Sequence, residues 1–191
     1  ELHPDEAPGG NIIYRSTIDP DSPAYEGAVS EQDYIATYTD TSTYIGIVPN
    51  EDYIDHRPHQ PLGIEVTQRS YAWSNTFTED FVLFDYSISN IGTSTLNEVY
   101  MGIYVDGDVH HQSQTTDGAL DDICGFRRTL PVEYFPSSCP EDSAVVNLAW
   151  IADNSGDLPP VQTEYPSVPH ITATRLLRTP GEETEVSFNW W

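Results

Sequence analysis

Aspartates supply most of the chemistry this chain could carry. Asp106 and Asp108 flank Gly107 at the end of an alternating segment, and Asp117, Asp121 and Asp122 follow shortly after. Calcium takes roughly six to eight hard oxygen ligands, some of them main-chain carbonyls, and glycine lets a chain wrap the ion. An Asp-x-Asp pair at a strand end, completed by a loop folding back, meets that demand, so Ca2+ is the expected cofactor. Asp153, Ser155 and Asp157 form a second acidic turn without the remainder of an EF-hand loop. The same aspartates also suit solvated turns, because their side chains bond to nearby backbone. Both readings stand.

The histidines fall in two local pairs, His56/His59 and His110/His111. Neighbouring histidines on extended backbone point to opposite sides, so His110 and His111 do not share one metal. One of them joining Asp106 or Asp108 is one reading; exposed loop histidines are the other. Paired carboxylates can hydrolyse glycosides, but here nothing separates an acid from a nucleophile. The nucleophile-elbow, zinc-protease, P-loop and dinucleotide motifs are all missing from the sequence. The expectation is a chain that is no enzyme.

Twelve tyrosines and four tryptophans offer a different chemistry. Aromatic rings stack on the apolar faces of sugars while the phenol bonds outward. Tyr100 and Tyr104 are expected on the outward face of one strand as candidate glycan contacts, with Tyr71, Trp73, Trp190 and Trp191 similarly placed. Routine packing on pleated faces is the competing account.

The elements that must position these residues read as strands. Around Phe81–Asp108, Val82, Phe84, Tyr86 and Ile88 alternate with polar residues, then Val99, Met101, Ile103 and Val105 do the same. That period of two predicts two half-buried strands, with Asn90–Ser94 as their turn and those eight residues as core. A hairpin is expected over 33–48, turning at Asp40-Thr41-Ser42. Residues 49–61 read as a connection. A strand over 62–73 is expected to switch faces at a bulge near Gln68. Residues 106–142 show almost no periodicity. AVVNLAWIA (144–152) is apolar on both faces, as in a central strand. Strands are also expected at 11–18, 171–178 and 185–191. The prediction is an all-β, antiparallel β-sandwich, immunoglobulin-like or jelly-roll-like, with long loops. Residues 1–32 form an extended arm with a short strand, and 33–191 form the sandwich domain.

Charge narrows the partners. Acidic residues number 31 against 7 arginines, for a net charge of −24, and lysine is absent. That balance repels nucleic acid and anionic membranes, keeps the protein soluble and attracts cations. It also suits a salty habitat, where ions screen self-repulsion. No apolar run approaches the ~20 residues of a membrane span, so no membrane insertion is expected. The chain begins at Glu1 with no initiating Met and no apolar leader. A removed leader or a longer parent protein is therefore expected. Cys124 and Cys139 lie in a turn-rich stretch, where one disulfide would contribute ~3 kcal/mol in the chain-entropy model. Two free thiols in a reducing compartment are the alternative.

The segment DYSISNIGTSTLNEVYMGIYVDGD, with its N-x-G turn and closing Asp, resembles bacterial cell-adhesion-related immunoglobulin-like modules of large secreted proteins. More broadly, HRPHQPLGIEVTQRSYAWS, VYMGIYVDGDVHH, DDICGF, DNSGD and SFNWW look like a module of secreted bacterial multidomain proteins, over residues 33–191. The resemblance implies a sandwich fold and an extracellular or cell-surface location; a structural or adhesive role is the expected function. The expected partners are other copies of the chain or neighbouring domains, with a terminal strand such as NIIYRSTI or EVSFNWW completing an open sheet edge. A carbohydrate-binding module, or an accessory domain of a hydrolase, is the alternative, with glycan as partner.

Overall fold

A computed structural model describes residues 12–45, 48–110, 122–131, 143–154, 168–181 and 186–190. Among these residues there are nine strands and no helix, and every pairing is antiparallel. The strands are β1 (Ile13–Arg15), β2 (Gln32–Thr39), β3 (Tyr44–Ile45), β4 (Val48–Pro49), β5 (Ile64–Ala72), β6 (Leu83–Asn90), β7 (Ile123–Pro131), β8 (Ser143–Ala152) and β9 (Ile171–Arg175). The all-β, antiparallel class read from the sequence is the one observed. Sheets of four and three strands are consistent with a β-sandwich. Contacts group the chain into two units, Glu1–Met101 and Gly102–Trp191, where the sequence suggested an arm and one domain.

The first unit holds a sheet in the order β1-β2-β5-β6 and the small ribbon β3-β4. Two expectations fail here. The 33–48 hairpin does not form: β2 pairs with β1 and β5, while Tyr44 and Ile45 pair with Pro49 and Val48. The cause is Asp40, whose carboxylate accepts the Leu62 and Ile64 amides at 2.5 and 2.7 Å. That fixes the end of β2 to the start of β5. The bulge near Gln68 is also absent, since β5 keeps one register against both neighbours. Tyr71 therefore lies on the face of Thr67 and Arg69, opposite Val66 and Gln68.

The expected second strand of the opening hairpin is missing as well. Residues 91–110 contain no strand. Asn90 spends its side chain locally, Oδ1 accepting from Gly92 and Nδ2 donating to the Ser94 carbonyl. The Ile91 and Gly92 amides both donate to the Gly63 carbonyl, so the chain turns across the sheet end instead of returning along β6. Gly63, at φ 75°, sits so close to Gly92 that an added Cβ would fall 2.8 Å from its Cα. All eight residues expected as core on this hairpin are exposed.

A buried polar knot ties the loop before β2 to the sheet. Asp33, 1% exposed, accepts the Val29 and Ser30 amides at 2.7 and 2.8 Å, and the Ser30 hydroxyl. Ser30 Oγ in turn accepts the Ala72 amide at 3.1 Å. Buried polar groups persist only when satisfied in this way.

In the second unit β8 is the central strand of β7-β8-β9, as its two apolar faces suggested. β7 itself lies within the stretch read as loop. Its pattern is broken by an irregularity between Arg127 and Thr129, where β8 carries an extra residue. Asn147, at φ 44°, sits at that bulge. Gly125 faces Trp150 across the β7–β8 pair, and an added Cβ would fall 2.5 Å from the indole. The expected closing strand does not form over residues 186–190. That segment docks on β7 instead, with Phe188 stacked on Phe126 at 5.8 Å and the Val186 carbonyl accepting from Arg128.

Candidate binding face

Registers across β1, β2, β5 and β6 sort the first unit's side chains into two unlike faces, because directly opposed residues point the same way. One face carries Arg15, Asp33, Thr37, Thr67, Arg69 and Asp85 among its members. It is cross-linked by polar contacts: Thr37 and Thr67 hydroxyls meet at 3.2 Å, and Arg69 donates to Ser87 at 3.2 Å and lies 3.6 Å from Asp85.

The other face is aromatic. Its first row runs Tyr14, Tyr34, Ser70, Phe84; the next runs Ala36, Gln68, Tyr86; a third runs Tyr38, Val66, Ile88. No residue of this face bears a formal charge, in a chain with 31 acids. The rings are not core. Tyr34 is 41% exposed, Phe84 51% and Tyr86 38%. They support one another, with Tyr14 and Tyr34 at 5.5 Å and Phe84 and Tyr86 stacked at 6.3 Å. Tyr38 Oη donates to Gln68 Oε1 at 3.4 Å, and Gln32 Nε2 donates to the Tyr34 hydroxyl at 3.2 Å. Burial, then the neighbouring Tyr86, raise the Tyr38 phenol above the usual tyrosine range. Beyond Ile64 and Ile88 the face runs into a pocket of about 510 Å³, where Thr93, Ser94 and Thr95 bring hydroxyls and Leu96 and Val99 bring apolar wall.

The residues singled out from the sequence lie elsewhere. Tyr100 and Tyr104 are 89% and 69% exposed, on backbone that is not a strand. Asp106 and Asp108 are exposed on irregular backbone. Gly107 is pressed against β8, an added Cβ falling 2.8 Å from Ile151 Cδ1. Asp122 accepts the Val109 amide at 2.8 Å and so ties this segment to the start of β7. Asp153 is buried and accepts the Val168 amide at 2.9 Å, closing the approach to β9. Asp117, Asp121, Ser155 and Asp157 lie outside the described residues, as do Cys139 and His111. Cys124 is exposed on β7, with no disulfide among the described residues. No group of three or more His, Cys, Asp or Glu among them is arranged to hold a metal ion.

His56 and His59 have structural contacts in a braced loop. His59 Nε2 donates to the Asp40 carbonyl at 2.6 Å, and His56 Nδ1 lies 3.2 Å from Glu51. Asp52 accepts the Ile54 and Asp55 amides at 2.8 and 3.1 Å, and these bonds hold its carboxyl below the usual range. The loop displays Tyr53, 94% exposed.

The aromatic face was present in the sequence as the alternation of Tyr34, Ala36 and Tyr38 and of Phe84, Tyr86 and Ile88. Of these, Phe84, Tyr86 and Ile88 are the ones expected as core, because periodicity reports which face is apolar and not whether anything covers it. Comparison with protein-family models, curated proteins and solved structures finds no match to this chain.

Proposed function

We propose that the chain is a non-catalytic, extracellular adhesion module whose contact surface is the aromatic face of its four-stranded sheet. One observation carries the reading: Tyr14, Tyr34, Phe84 and Tyr86 on one face are each 38–51% exposed around the half-buried Tyr38, while the opposite face is knitted by polar contacts. Exposed aromatic clusters of this kind mark recognition surfaces. The rings stand on strands, so little side-chain entropy is lost when a ligand lands on them. The face offers phenols, amides and hydroxyls but no carboxylate, imidazole or amine, a set suited to holding a ligand. The resemblance expected from the sequence, to modules of secreted bacterial proteins, supports the extracellular location.

Accessibility tests this directly. In the folded monomer, nitration should reach Tyr34 and Tyr86, with Tyr53 and Tyr100 as exposed internal standards. Protection of Tyr34 and Tyr86 in a chain shown to be monomeric would mean that the chain covers the face itself, and the reading would fall.

A further inference from the structure

We infer that the aromatic face binds a neutral, extended polysaccharide; this rests on the face being the contact surface proposed above. Charge is the first argument. The face and the adjoining pocket carry no formal charge, within a chain of net charge −24. An anionic polymer is repelled by that field, and a cationic one finds no counter-charge on the face itself. A neutral ligand matches both facts.

Shape and chemistry give the class. Tyr34 and Phe84 share a row on strands separated by β5, so their Cα atoms stand roughly 10 Å apart. A sheet face with rings at that separation suits a ligand of several linked pyranose rings, each with an apolar face to stack. The centre of the face is polar: Gln68 has both amide donors and an acceptor, beside the Tyr38 hydroxyl. Protein-binding surfaces have the reverse plan, an apolar centre with a polar rim. Past Ile88 the Thr93–Thr95 hydroxyls line the open pocket, where the end or a branch of such a chain can enter.

The test is affinity electrophoresis of the full chain through gels holding soluble neutral polymers (mixed-linkage β-glucan, xylan, mannan) or anionic pectate, with sedimentation on cellulose and chitin. The expected result is retention by at least one neutral polymer and none by pectate. Retention should fall about tenfold or more in Tyr34→Ala and Phe84→Ala and stay unchanged in Ser87→Ala on the opposite face. Near-UV circular dichroism checks the folding of each variant. Ser70→Glu, which keeps every ring and adds a charge to the row, should also abolish retention. The inference is overturned if no neutral polymer retains the chain, if pectate retains it equally, or if the folded variants bind unchanged. Self-association lost in Phe84→Ala, without polymer retention, would assign the face to a protein partner and also overturn it. Nitratable Tyr34 and Tyr86 with no polymer binding would remove the ligand class alone; protected tyrosines would remove the contact surface as well.

Discussion

Tyr34 and Phe84 stand in one row of the four-stranded sheet, on β2 and β6, with Ser70 of β5 between them. The two strands are far apart in sequence and do not touch; β5 alone sets their spacing. A ligand bridging both rings, as proposed, would thus meet a separation built from main-chain hydrogen bonds. Ser70→Trp should fill the gap with a third ring and strengthen retention on whichever polymer binds. Weaker binding with the fold intact would show that the ligand needs the gap open.

Asp40→Ala should be among the most damaging single changes in the first unit. It removes the acceptor for the Leu62 and Ile64 amides. Hydrogen bonds to a charged group contribute about 1.5–3 kcal/mol each, and a stranded amide adds its own cost. A loss of about 3 kcal/mol is expected in chemical denaturation, with a smaller loss for Asp40→Asn, which keeps one acceptor oxygen. A wild-type midpoint in Asp40→Ala would show that the clamp contributes nothing.

Gly107→Ala should destabilise by about 1–3 kcal/mol through overpacking, since its new Cβ meets Ile151 Cδ1 at 2.8 Å. Ile151→Val removes that methyl, so the double variant should recover most of the loss. Additive losses in the cycle would place the strain elsewhere.

Acid should loosen the Asn50–His59 loop before the sheet. Main-chain donors from Ile54 and Asp55 depress the Asp52 carboxyl. A depressed carboxyl stabilises the folded loop above its unfolded value, and that contribution disappears as pH falls through the folded one. Hydrogen exchange at Ile54 and Asp55 should therefore accelerate below the usual carboxylate range, and Asp52→Asn should flatten the dependence. Unchanged protection at low pH would count against the cap.

At the other end of the scale, the raised Tyr38 phenol predicts late ionisation. Its neutral form is favoured by burial and by Tyr86. Stability should fall as pH rises past the ordinary tyrosine value toward the folded one, because only the unfolded chain gains from losing the proton. In a spectrophotometric titration the Tyr38→Phe variant should lose a tyrosine that ionises above the ordinary range; an unchanged late phase would contradict the assignment.

Strand existence was largely legible. The alternation in 32–39, 64–72 and 83–90 and the doubly apolar 144–152 all became strands, the last one central. Pairing was not legible, because a period of two names no partner. Asp40 could not be recognised as a clamp before Leu62 and Ile64 were known to lie beside it. The Val99–Val105 alternation misled for the opposite reason: it satisfies the pattern, yet Asn90 and Gly63 send the chain away from β6. The aspartates were legible as residues of consequence, but Asp122 and Asp153 are used to hold main-chain amides.

The Asn50–His59 loop is not a loose tether. A pull on Tyr53 would travel through the Asp52 turn to His59, whose ring is bonded to the Asp40 carbonyl, and the carboxylate of the same residue grips the Leu62 amide and the first amide of β5, Ile64. Tension arriving there loads β2 and β5 together at one end, and the Asp40 bonds must rupture before the ladder behind them can unzip. Under the proposed adhesive role, that would make a single side chain the mechanical fuse between the exposed Tyr53 and the sheet.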